Sequence, residues 1–281
     1  MNQVAQEILL RAKKDVFSGN LGEHLTTFKG DGLDFREIRD YDYGDDIRKL
    51  NWKATAKGNG LKTNIFNEER ELNIVLAFMV SGSLNFGSVK LKQEVAAEIL
   101  ALLSYSALKG HNRLQSAFFS EKSEQFFEPS RSESMIPNIV QNAVTLNTLG
   151  KEVNYQEFCQ FVNGVVRQKS LIFMIGDFYT HSQFETIDLS EIAHKNEVYA
   201  IMVRDRLEEN PLLNGEFELV DPNSFASSEM SMNKSVVKEY RRLIEAHDNQ
   251  LQAHFLEHQI GFGKIYTDED IYMRLSEILK G

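Results

Sequence analysis

Three short, almost unbroken apolar runs constrain this chain most. Residues 72–80, 170–178 and 197–203 are far shorter than the ~20 residues a membrane-spanning helix needs, and too uniformly apolar for strands wet on one face. They read as strands buried on both faces. Between them apolar residues recur every three or four positions: Leu91, Val95, Ile99, Leu102 and Leu103 within residues 89–109, then Phe158, Phe161, Val162 and Val165 within 155–168. Further helical patterns cover 132–147 and 183–194. Strand–helix–strand alternation predicts an α/β protein with a doubly wound, mostly parallel sheet and right-handed crossovers. A hairpin is expected around residues 120–123. Residues 206–232 show no period and read as a surface excursion. A long amphipathic helix over 233–259 is expected to stop with Gly261 as its C′ residue. Residues 264–266 would add an edge strand, and Thr267 with Asp270 would cap a final helix.

The first 70 residues have a different texture, so the expected division is 1–70, an N-terminal helix with a charged β-rich appendage, and 71–281, the α/β domain. Val4, Ile8, Leu9, Ala12 and Val16 form one stripe of a helix over 4–18. Residues 50–57 and 61–67 flank Gly58-Asn59-Gly60, the signal of a tight hairpin. Before it lies a run of alternating charge from Asp34 to Lys53. It has three readings: an internal salt-bridge network around Arg36, Arg39 and Arg48, a partner-docking surface, or a nucleic-acid patch. Residues 31–70 hold nine acids and eight bases, so the field needed to track phosphates is absent. Trp52, the only tryptophan, is the expected apolar anchor of this segment.

Composition narrows the function classes. With 31 basic and 41 acidic residues the formal charge is −10, against general nucleic-acid binding. A single cysteine, Cys159, excludes an intramolecular disulfide framework and a cysteine zinc cluster, and suits a reducing compartment. Residues 1–14 lack the basic start, apolar run and small-residue cleavage site of a secretory signal, so a cytoplasmic protein without direct membrane insertion is expected. Phosphate-loop, dinucleotide and nucleophile-elbow motifs do not occur. Cys159 sits among Phe158, Phe161 and Val162 and reads as a small core residue. His247, His254 and His258 share a helix, but their order is not that of a zinc protease, and they read as a solvated stripe.

The turn after the first buried strand reads Met79-Val80-Ser81-Gly82-Ser83. In a doubly wound sheet, ligands bind outside the carboxyl ends of the strands. Ser81 and Ser83 could meet a metal or an anion there, beside Asp177 at the end of the second buried strand. The commoner role of such serines is to cap the next helix or bond within the turn.

The stretch 29–41, followed by Gly44-Asp45-Asp46-Ile47-Arg48 and Asn51-Trp52-Lys53, resembles the signature of a bacterial domain-of-unknown-function family. That family has a von Willebrand factor A-like core and is commonly encoded beside MoxR-type AAA+ ATPases. The resemblance implies a fold of that type and a metal-ion-dependent adhesion site built from Asp-x-Ser-x-Ser, a threonine and a later aspartate. Ser81, Ser83 and Asp177 match; Met79 stands where the first aspartate would, and residues 150–154 offer no threonine. A thioether is a poor magnesium ligand, so the expected site is degenerate, with no metal and no cofactor.

The expectation is therefore a non-enzymatic interaction module, an accessory or adaptor of a MoxR-type AAA+ ATPase. Its partner contacts would come from Arg36, Arg39, Asp45, Arg48, Trp52, Ser81, Ser83 and Asp177. The alternatives are a magnesium-dependent binding protein that recruits a carboxylate from Glu68 or Glu69, and a hydrolase with a dispersed site.

Overall fold

The computed structural model of the chain describes residues 1–19, 21, 34–58, 60–67, 71–179, 187–211 and 215–280, with backbone alone at 34–36, 66 and 67. The expected helix over 183–194 falls partly outside these residues. It divides into two compact units, residues 29–72 on the one hand and residues 1–28 with 73–281 on the other.

Helix α1 (Gln3–Ser18) belongs to the larger unit, not to the appendage. Its buried stripe, Ala5, Ile8, Leu9, Ala12 and Val16, supplies the reason. A central helix buried on every side needs an apolar cover, and α1 provides part of one. The Lys109 ammonium at the end of that central helix ties the pair by donating to the carbonyls of Val16 and Gly19, both at 2.9 Å.

In the smaller unit, strand β1 (Asp34–Asp40), the single-turn helix α2 (Trp52–Thr55) and strand β2 (Lys62–Asn67) follow in order. The expected local hairpin is not formed. Asn51 caps α2 by accepting the Ala54 N–H at 2.9 Å, and β2 pairs antiparallel with β1 from Asp40↔Lys62 to Asp34↔Asn67. Distant pairing with the charged run overrides the turn signal, because strand preference depends on what lies opposite. Trp52 is 66% exposed, correcting its role as an anchor. It opens a helix of four residues that buries none of them.

The larger unit contains strands β3 (Asn73–Met79), β4 (Arg113–Phe119), β5 (Ser123–Ser130), β6 (Ser170–Gly176), β7 (Glu197–Arg204), β8 (Gly215–Val220), β9 (Ser227–Met232) and β10 (Gly261–Tyr266). Its later helices are α3 (Lys92–Lys109), α4 (Met135–Thr145), α5 (Tyr155–Val165), α6 (Ser190–Lys195), α7 (Arg206–Glu209), α8 (Lys234–Glu257) and α9 (Ile271–Lys280). Six strands form one sheet in the order β10-β7-β6-β3-β4-β5, parallel except for β5. Chain order reverses between β3 and β6, which makes their carboxyl ends the switch point where such sheets present ligand sites.

The surface excursion over 206–232 holds α7 and an antiparallel hairpin, β8–β9, whose strands are almost wholly exposed and so lack an apolar period. Two further expectations are corrected. The left-handed residue after α8 is Gln259, at φ 57°, while Gly261 opens β10. Thr267 does not cap α9. Its hydroxyl donates to Asp205, and Asp270 accepts the Met273 N–H at 3.0 Å.

Candidate functional site

Ser81, Ser83 and Asp177 come together at the switch point, all buried. Pairing of β3 with β6 puts Phe78 opposite Ile175, so the two strand ends carry their polar residues side by side. The Ser81 hydroxyl donates to Asp177 Oδ1 at 3.2 Å, the Ser83 hydroxyl donates to Asp177 Oδ2, and the two hydroxyls lie 3.0 Å apart. They point at the carboxylate and do not cap the following helix.

The group that faces them is Lys92, in the first turn of α3. Its side chain is 0% exposed, and its ammonium lies 3.1 Å from Asp177 Oδ2 and 2.7 and 3.0 Å from the two carboxylate oxygens of Glu208. An ammonium on two carboxylates, one of which also takes both serine hydroxyls, is a tethered cation in a cluster of oxygens. A single lysine opening a helix carries no sequence pattern, and its reach across the sheet end shows only in three dimensions.

Behind it lies Arg204, at the end of β7 and also fully buried. It donates to the Asp177 carbonyl and, at 2.8 Å, to Asp248 on α8, and its guanidinium lies 3.6 Å from the Tyr179 ring centroid. Lys264 on β10 continues the chain of charges, bonding Asp248 and, at 2.9 Å, Glu209. Burial alone would raise the Asp177 pKa, but the charges of Lys92 and Arg204 and the Ser83 hydrogen bond hold it below the ordinary aspartate range. Glu208 moves the other way, raised by burial and by the Asp177 charge against the pull of Lys92. Beside this network a cavity of about 610 Å³ is lined by Arg206, Arg241 and Lys264 against Glu209, Glu245 and Asp248, so its charges are mixed.

The remaining sequence candidates are less concentrated. Met79 belongs to the apolar cluster with Phe119, Phe158 and Phe178, and the Cβ that Gly176 lacks would fall 2.7 Å from Met79 Cβ. Asp45 accepts from Arg39 at 2.8 Å, and Arg48, 90% exposed, makes a forked pair with Asp46. The charged run thus pairs within itself, at the surface. Arg36 lies on β1, its side chain outside the described residues, as are Glu68 and Glu69. Cys159 is in the core cluster, and burial, with the Asp188 and Glu191 charges, pushes its thiol up to about 12. The histidine stripe is not wholly solvated: His254 is buried, with Nε2 2.9 Å from the Ile187 carbonyl.

Residues 37–250 match the family described as "Protein of unknown function DUF58". The chain belongs to the DUF58 family. Relatives of this DUF58 chain include "Uncharacterized protein Rv1480" of Mycobacterium tuberculosis and "Uncharacterized protein Mb1516" of Mycobacterium bovis. Each is 24% identical over 230 residues, which are 80% of this chain and 72% of the relative. Among solved structures it is similar to the conserved hypothetical protein BatB from Bacteroides thetaiotaomicron, at a TM-score of 0.42 and 9% identity over 75% of this chain and 100% of that one. It is also similar to an aerotolerance-related membrane protein from Bacteroides fragilis, at a TM-score of 0.45 and 10% identity over 74% and 97%. Among the described residues of this DUF58 chain no helix is long and apolar enough to cross a membrane.

Proposed function

We propose that this DUF58 chain is a non-enzymatic protein-interaction module of the cytoplasm with a von Willebrand factor A-like sheet, acting as an accessory of a MoxR-type AAA+ ATPase. The single observation that carries this reading is the position of the Lys92 ammonium on Asp177 and Glu208. It supplies from within the chain the positive charge that a divalent ion supplies at a metal-ion-dependent adhesion site. Asp177 is the one carboxylate both serine hydroxyls donate to, and its lowered pKa makes it a poor base for drawing a proton from either, which supports a binding role over a nucleophilic one. What remains is a rigid polar platform suited to recognition through hydrogen bonds and charge pairs, without metal. The sheet order supports the von Willebrand factor A-like reading, since the serine turn and the later aspartate stand at the switch point.

The 29–72 unit would supply a second contact. Tyr43, Ile47 and Trp52 are exposed beside the paired charges of Arg39, Asp45 and Arg48, the aromatic-and-arginine composition that interface centres favour.

Calorimetry with Mg²⁺ and Mn²⁺ at millimolar concentration tests the metal-free site, and no binding is expected. Saturable binding that disappears in Asp177→Ala would instead favour a magnesium-dependent binding protein. Pull-down from the native cell with wild type, Arg36→Ala and Ser81→Ala tests the partner. An AAA+ ATPase retained by wild type and lost from a variant is expected, and identical partners for all three would count heavily against the reading.

A further inference from the structure

The serine turn is already covered by part of the same unit. The tip of the β8–β9 hairpin, residues 221–225, lies directly on it. Asn223 Oδ1 accepts the Ser83 N–H at 3.0 Å, and the Pro222 carbonyl accepts the Gly150 N–H at 2.9 Å. Two main-chain donors from separate loops thus hold one turn. The platform is shaped for it. A Cβ on Gly82 would fall 2.0 Å from the Pro222 carbonyl oxygen, whereas Gly150, at φ 72°, is already accounted for by its left-handed backbone. Gly82 has no left-handed backbone to explain it, so the close approach of Pro222 is the reason a side chain is missing there.

The tip is also organised before it docks. Asp221 accepts the N–H groups of Asn223 and Ser224 at 3.0 and 3.1 Å, and its carbonyl accepts the Phe225 N–H at 2.8 Å. The rest of the hairpin is weakly held. Of the strand residues only Met232 is buried, the two strands form a sheet of their own, and Leu219, Val220, Phe225 and Met230 are exposed. A lone two-stranded ribbon is marginal in water, so such an element opens locally at small cost.

We propose that the Ser81–Gly82–Ser83 turn and Gly150 form a turn-binding site that the chain fills with its own 221–225 tip, and that a protein partner gains it by displacing the hairpin. This rests on the interaction-module reading and names its ligand class. The ligand is a polar turn presenting a main-chain carbonyl and, one residue later, an asparagine side-chain oxygen. The hairpin is then an internal competitor that sets how readily the platform can be reached.

Two variants and one peptide decide it, without any partner in the assay. In Asn223→Ala, and in a chain whose residues 221–225 are replaced by a two-residue Asn-Gly turn, the Ser83 and Gly150 amides should exchange with solvent about tenfold faster, while the Leu84 amide, bonded to the Ser81 carbonyl, stays unchanged. A fluorescent peptide of residues 217–229 should bind the tip-replaced chain saturably, bind wild type at least about tenfold more weakly because the tip competes, and fail when its asparagine is alanine. Unchanged exchange in Asn223→Ala would overturn the proposal, as would a folded tip-replaced chain that ignores the peptide or a wild type that binds it equally well. If tip replacement prevents folding, the exchange result for Asn223→Ala decides alone. Failure of the pull-down leaves these outcomes untouched.

Discussion

Lys92 Nζ and Asp177 Oδ2 stand 3.1 Å apart with neither side chain more than 2% exposed, and they join residues 85 positions apart in sequence. Glu208 bonds the same ammonium, so the cation is shared between two carboxylates. Removing two such charges from water is expensive, and the pair is sustained only because the Ser81 and Ser83 hydroxyls and a second cation, Arg204, satisfy the rest of the cluster.

Lys92→Met is expected to destabilise the chain by about 3–5 kcal/mol, since it leaves the buried Asp177 carboxylate and the partly covered Glu208 without their shared cation. Lys92→Met with Asp177→Asn should recover much of that loss, which urea unfolding of the two single variants and the double variant would measure. Lys92→Ala should gain what wild type lacks, a rise in melting temperature on adding millimolar Mg²⁺, because two carboxylates and two hydroxyls then surround an open position. No response in a folded Lys92→Ala would show that the cluster does not fit a divalent ion.

The two carboxylates at Lys92 should give opposite pH dependences. Asp177 sits below the ordinary value of 3.8, so the stability it contributes is present above that value and is lost as pH falls through the lowered one. Glu208 sits above 4.5, so its contribution is complete below 4.5 and is lost as pH rises through the raised value. In denaturant titrations, Asp177→Asn should flatten the acid limb. The stability of Glu208→Gln relative to wild type should climb as pH rises past 4.5, and a flat difference would contradict the raised value.

Trp52 is the only tryptophan, so its emission reports its surroundings directly. At 66% exposure it should emit as a solvated indole and be quenched by iodide in the native chain, and Trp52→Phe should change stability by less than about 0.5 kcal/mol. Blue-shifted emission shielded from iodide would place it in a covered interface.

The sheet was legible because burial on both faces writes itself into sequence as unbroken apolar runs, and residues 73–79, 170–176 and 197–204 all became strands. Ser81, Ser83 and Asp177 were legible because the carboxyl ends of neighbouring strands are where such sheets carry polar groups. Lys92 and Arg204 were not. Each is one charged residue at the edge of an apolar element, and its partners, Asp177 and Glu208 for one and Asp248 for the other, are fixed only by the packing of helices on the sheet. The β8–β9 hairpin escaped for the opposite reason. Its strands bury almost nothing, so no alternation marks them, and the contacts at its tip, one main-chain carbonyl and one asparagine side chain on the backbone of distant loops, leave no periodic trace.

Phe178 directly follows Asp177 and adopts φ 56°, a left-handed conformation that costs an L-residue about 1–2 kcal/mol. The strain persists because its ring is fully buried, stacked on Tyr155 at 5.9 Å and edge-on to Phe255 at 5.4 Å between centroids. Together these contacts fix the backbone that aims Asp177 at the serines on one side and carries Tyr179 beneath Arg204 on the other. Phe178→Ala should therefore cost about 3–5 kcal/mol for the lost ring. Phe178→Gly should be about 1 kcal/mol more stable than Phe178→Ala, the reverse of the usual order, because glycine relieves the strain that alanine keeps. Unfolding both variants in urea measures the difference, and an alanine variant more stable than the glycine one would mean that the backbone relaxes out of the left-handed region once the ring is gone.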